Sequence, residues 1–151
     1  MANNNHVASR TAAGFGNFKI AEARGVSIAA TGNALVTMPI LDGGLTNSGA
    51  NLTSGVAIVR RVTIANYGAG NINTANVSVG WTNDGGNLVA NLQTLTTMTA
   101  NNMYYDLTLS GTANTTMVNG NVSSVLFFNL SAGNVAAATV DVSIYGDIVK
   151  P

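Results

Sequence analysis

Along most of this chain apolar and polar positions alternate with a period of two, the repeat of a half-buried β-strand. The cleanest case is residues 74–82, where Ala75, Val77, Val79 and Trp81 fall on one side and Asn76, Ser78 and Gly80 on the other. Met103, Tyr105, Leu107 and Leu109 form a second apolar series opposite Tyr104, Asp106 and Thr108. Ala136, Ala138, Val140, Val142 and Ile144 form a third, with Thr139, Asp141, Ser143 and Tyr145 outward and a tail leaving the body from Gly146. Val122, Ser124, Leu126, Phe128 and Leu130 alternate too, but Val125 and Phe127 make the other face apolar as well. That predicts an interior strand, or a face covered by another subunit. Val26, Ile28 and Ala30 predict a first strand and residues 34–40 a second; Pro39 lacks a donor, which puts that end at a sheet edge or outside the sheet. Residues 20–24 read as a short helical turn or an edge strand closed by Gly25, and Leu88, Ala90 and Leu92 as a strand or irregular ribbon.

The most continuous apolar and β-branched run is residues 56–67, VAIVRRVTIANY, a composition suited to a strand through the middle of a sheet. Strict alternation would turn Arg60 to the same face as Val56, Ile58, Val62 and Ile64, and an unpaired buried guanidinium is too costly. A β-bulge at Arg60 and Arg61 removes the conflict. Ala57, Val59, Val62 and Ile64 then share the core face, and both arginines point outward.

Between these runs lie segments rich in Gly, Asn and Ser: residues 41–55, 68–73, 83–87 and 110–121, read as loops, with Asn119-Gly120 a strong turn signal. Residues 1–19 show neither period and read as a flexible or extended N-terminal arm, or equally a disordered terminus, with the β-domain over residues 20–151. Seven or eight short strands without a long helix predict an all-β protein, an antiparallel β-sandwich. Alternation alone leaves a jelly roll and an immunoglobulin-like Greek key both open.

Composition narrows the functional classes. The 151 residues are 46% hydrophobic but only 8% charged, with a formal net charge of zero. No global field would draw nucleic acid or an anionic membrane, and neutral copies repel one another little. No stretch is long and apolar enough to span a bilayer as a helix, and no secretory signal opens the chain, so synthesis in a cytoplasm is expected. Cysteine is absent and His6 is the single histidine, which leaves neither a zinc ligand set nor a convincing Ser-His-Asp triad. Of the acids, Asp42, Asp84 and Asp147 adjoin glycines or turns, where structural roles are common, while Asp106 and Asp141 sit on outward strand faces. The segment 83–87 lacks the spaced acids of a calcium loop, and Gly14-Phe15-Gly16 lacks the context of a phosphate loop. No enzyme activity and no cofactor are expected. Trp81, Tyr67, Tyr104, Tyr105 and Tyr145 offer the alternative of a sugar-stacking platform in a carbohydrate- or receptor-binding module of a fibre or adhesin, although the alternation around Trp81 favours a core position for it.

Four stretches carry a resemblance: the Gly/Asn/Ala-rich arm, TGNALVTMPI, VRRVTIANYGAGNINTANVSVGWTNDGG and the closing VDVSIYGDIV. In texture and order the chain resembles the small β-sandwich decoration, or cement, proteins of tailed-phage capsids, such as those of cyanophages. The resemblance implies a homotrimer on the outside of a virion, seated at local threefold axes and clamping neighbouring major capsid proteins against internal DNA pressure. It implies binding without catalysis, and no direct contact with nucleic acid or membrane. His6, Arg10, Phe15, Phe18 and Lys19 of the arm, with Arg60 and Arg61, are the candidate partner contacts.

Overall fold

The computed structural model describes residues 18–29, 34–40, 54–65, 72, 74–83, 87–96, 98, 103–111, 115–119, 125–136 and 138–149. Within them the chain forms β1 (Phe18–Ser27), β2 (Ala34–Pro39), β3 (Ser54–Ala65), β4 (Asn76–Gly80), β5 (Leu88–Thr94), β6 (Tyr104–Asp106), β7 (Thr115–Asn119), β8 (Val125–Ala132) and β9 (Thr139–Val149). Two antiparallel sheets result. The first runs β1-β9-β3-β6, with β7 also on β3, and the second β2-β8-β4-β5.

The pairings are nested. β4 pairs β5, β3 pairs β6 and β7, β2 pairs β8 and β1 pairs β9. This is one long hairpin of paired strands rolled up so that successive pairs fall in opposite sheets. The strand order is that of a jelly roll and does not fit the immunoglobulin order.

Period-two alternation builds the core. Ala75, Val77, Val79 and Trp81 are all buried, as are Leu126, Phe128 and Leu130 from β8 and Val140, Val142 and Ile144 from β9. They meet Ala57, Val59, Val62 and Ile64 from β3 in one continuous cluster. The predicted bulge is present: Val59 pairs with Gly146 and Arg61 with Tyr145, so Arg60 is the extra residue, and both arginines are exposed.

Several expectations are corrected. Of the two readings of residues 20–24, the edge strand holds and the helical turn does not: β1 is a single strand from Phe18 through Ser27 at the end of the first sheet, so Phe18 and Lys19 belong to the sheet rather than to an arm. Gly25, at φ 61°, lies inside it at a second irregularity instead of closing an element. Residues 110–121 include β7, whose Thr115–Asn119 pair with the start of β3; β-prone residues were hidden there by flanking turn signals. Gly146 does not release the chain, since β9 continues to Val149. In β5, register shifts against β4 bury both Val89 and Ala90 and leave Leu92 exposed, so the apolar series Leu88, Ala90, Leu92 does not share a face. The loop predicted over residues 41–55 ends earlier, since Ser54 and Gly55 open β3; its residues 41–53 and the arm residues 1–17 lie outside the described residues.

At Tyr145 and Gly146 both neighbours of β9 are irregular. On the β1 side Lys19 pairs with Tyr145 and Ala21 with Ile144, making Ile20 an extra residue. A bulge puts two consecutive side chains on one face. Ile20 and Ala21 both turn into the core, while Arg60 and Arg61 both turn out. Gly146 permits this, because a Cβ there would collide with the Ile58 carbonyl oxygen and stand 3.1 Å from Ile20 Cδ1.

Candidate functional site

Charge divides the sandwich into two unlike faces. Among the described residues the basic side chains are Lys19, Arg24, Arg60 and Arg61 and the acidic ones Glu22, Asp106, Asp141 and Asp147. All of them sit on β1, β3, β6 and β9 of the first sheet. The strands of the second sheet contain no charged residue.

Register orders the charged face into rows. Lys19, Tyr145 and Arg61 lie side by side across β1, β9 and β3. The next row on the same face runs Glu22, Ser143, Thr63 and Asp106 across β1, β9, β3 and β6. A basic row thus lies two residues, about 7 Å, from a row with acids at both ends. Lys19 Nζ donates to Glu22 Oε2 at 2.9 Å, and Arg24 reaches Glu22 Oε1 at 3.2 Å. Burial of the Glu22 carboxyl acts to raise its pKa, but the hydrogen bonds and charges of Lys19 and Arg24 outweigh it and hold the group below its ordinary value.

The remaining acids also have defined structural partners. Asp141 Oδ1 accepts from the Gly25 N–H at 2.8 Å, tying down the irregularity in β1, and Asp106 Oδ1 accepts from the Thr63 hydroxyl at 2.5 Å. Arg60 Nε donates to Asp147 Oδ2 at 3.0 Å. Arg61 differs. It makes no ion pair among the described residues, and its guanidinium lies over the Tyr145 ring, 4.4 Å from the centroid. Stacking on the ring holds the fork in place while leaving it exposed, a preorganised donor for a carboxylate.

The candidate contacts therefore converge in part. Lys19, Arg60 and Arg61 come together on one outer face, although Lys19 and Arg61 are far apart in sequence, and half-buried Phe18 pairs with Gly146 beside them. His6, Arg10 and Phe15 lie outside the described residues. Sequence reasoning missed the part of Tyr145 as the ring beneath Arg61 and of Asp147 as the partner of Arg60. The closing segment YGD held both, but only the register of β9 against β3 brings them to the arginines.

Among the described residues the aromatic rings do not assemble into a platform. Trp81 is buried, Tyr105 packs against the core and Tyr145 lies under Arg61, leaving Tyr104, at 55%, as the exposed tyrosine among the described residues. Tyr67 lies outside them. Among the described residues no three His, Cys, Asp or Glu side chains gather where they could hold a metal ion.

The second sheet presents a contrasting face. Val125, Phe127, Asn129 and Ser131 alternate outward along β8 next to Leu35, Thr37 and Pro39 of β2. Phe127 pairs with Gly80 of β4 and Asn129 with Ser78, which is itself buried. Leu35 is 47% exposed. No protein-family model matches this chain, no curated protein matches it, and no solved structure matches it.

Proposed function

We propose that the protein is a structural virion component that binds the outside of a phage capsid and clamps neighbouring major capsid proteins, acting by contact alone. The reading rests on the resemblance of the chain to capsid decoration proteins, and the jelly-roll order is a recurrent architecture of viral shells, though one shared with lectins and cupins. One observation carries it to specific residues: the row Lys19, Tyr145, Arg61, in which two cations flank a ring and Arg61 pairs with no carboxylate among the described residues. Such a row suits acidic side chains on a protein surface. Each contact is weak in water and screened by salt, so firm attachment comes from engaging several shell subunits at once.

The test is sedimentation of purified protein with virus particles that lack it, with copy number measured against the major shell protein. Wild-type protein should saturate at a fixed ratio. Reversing the row with Lys19→Glu and Arg61→Glu should weaken binding by about tenfold or more, as loss of interfacial charge pairs does, with the circular dichroism spectrum unchanged. Equal binding by the reversed variant would remove the row from the interface, and absence of any binding would reject the capsid reading. For the glycan-binding alternative, Trp81 is buried and the Tyr145 ring lies under Arg61, which leaves Tyr104 as the exposed tyrosine among the described residues.

A further inference from the structure

Two open sheets have four edges, and an edge strand exposes a row of N–H and C=O groups ready to pair with another chain. Three of the four are blunted here. β1 carries two register shifts together with Lys19, Glu22 and Arg24. The opposite edge of the first sheet is divided between two short strands, β7 against residues 54–58 and β6 against residues 63–65 of β3. β5 is covered by the chain that leaves β6. Ala90 bridges Leu109, the Ser110 N–H donates to the Val89 carbonyl at 2.7 Å, and the Gln93 side chain accepts from the Thr108 N–H at 2.8 Å and donates to the Thr108 carbonyl at 3.0 Å.

β2 is the fourth edge and, apart from Pro39 at its end, has none of these devices among the described residues. Its six residues, ALVTMP, pair with β8 without a register shift and carry no charge. Among the described residues nothing pairs with its outer side, and Leu35, Thr37 and Pro39 are exposed along it. Pro39 ends the strand and limits any added ladder to this short length.

We propose that β2 pairs with β2 of a second copy across a twofold axis, joining two four-stranded sheets into one continuous eight-stranded sheet and giving a dimer in solution in place of the trimer that the resemblance implies. A twofold axis normal to the sheet sets identical strands antiparallel, which makes this edge complementary to itself. Directly opposed residues in such a pair share a face, so the registers that keep the core side inward are those centred on Val36 or Thr37. In either, Leu35 and Thr37 of both copies line the uncharged outer face beside Val125 and Phe127, and no like charges meet. An unrelated strand would need to match both the lack of charge and the short length set by Pro39; the copy meets both by identity. Residues 1–17, rich in Asn, Ala and Gly, are poor β-formers and a weaker candidate for the same edge. The contact requires no capsid.

Sedimentation velocity over a range of concentrations tests this on the full chain. Wild-type protein should reach twice the chain mass. Thr37→Lys and Thr37→Glu should each raise the dissociation constant by about tenfold or more, since like charges then face each other near the axis. Mixing the two variants should restore the dimer, because Lys then faces Glu. That rescue separates direct pairing from a folding defect, and thermal melting of each variant provides a second check. A wild-type monomer at every concentration, a mass of three chains, a Thr37→Lys protein as associated as wild type, or a mixture that stays monomeric would each overturn the proposal.

Discussion

Gly146→Ala is the substitution to which the architecture is most sensitive for its size. It adds one methyl group in the middle of β9, the central strand between β1 and β3. That methyl would be driven into the Ile58 carbonyl oxygen, lie 3.0 Å from the Ile58 carbonyl carbon and crowd Ile20 Cδ1 at 3.1 Å. Ile20 can change rotamer, but the Ile58 carbonyl is backbone, held in the ladder next to the Arg60 bulge. Relief therefore requires β3 and β9 to separate where both neighbours of β9 are already irregular. Overpacking of a filled site costs about 1–3 kcal/mol and sometimes more, and a backbone clash belongs at the top of that range. Against a total stability of about 5–15 kcal/mol, a loss of about 3 kcal/mol lowers Tm by about 6–12 °C in a chain of this length. Urea and thermal unfolding followed by circular dichroism measure it. Gly111→Ala is the control, because nothing lies within 4 Å of a Cβ there and the residue is exposed; it should stay within about 0.5 kcal/mol of wild type. If Gly146→Ala melts within about 2 °C of wild type, the close approach of β9 to β3 is wrong.

Two further outcomes follow from the packing and the charges. Phe128→Ala removes a fully buried ring and should cost about 3–5 kcal/mol in denaturant unfolding, whereas Phe127→Ala on the half-exposed outer face should cost clearly less; equal losses would contradict the assignment of faces. The lowered pKa of Glu22 makes its ionised form stabilising above the unfolded carboxylate value of about 4.3, with that contribution lost as pH falls through the lower folded value. Unfolding midpoints between neutral and acid pH should therefore fall less steeply in Glu22→Gln than in wild type, and parallel curves would show that the Lys19 and Arg24 contacts do not act on folding.

Much of the fold was legible because period-two alternation needs only local reading. Residues 74–82, the inward positions of β8 and β9 and the outward turn of Arg60 and Arg61 all follow from two rules: apolar side chains take one face, and an unpaired guanidinium stays in water. The misreadings share a cause. Gly25 and Gly146 look like ends because glycine usually punctuates a strand, yet each sits within one, at positive φ or at a close backbone approach. The exposure of Leu92 is not legible at all, because shifts in register between β4 and β5 reset the alternation, and nothing in one strand reports a bulge imposed by its partner.

What the sequence determined by itself was an all-β sandwich, the identity of most core residues and a surface almost without charge, since each depends on composition or on spacing within one strand. Tertiary structure alone decided the jelly-roll order, the gathering of all described charges on one sheet, the row of Lys19, Tyr145 and Arg61, and the place of β2 at the end of its sheet. Those are relations between strands far apart in the chain. They are set by which edge pairs with which and in what register, and a single strand carries that information only in part.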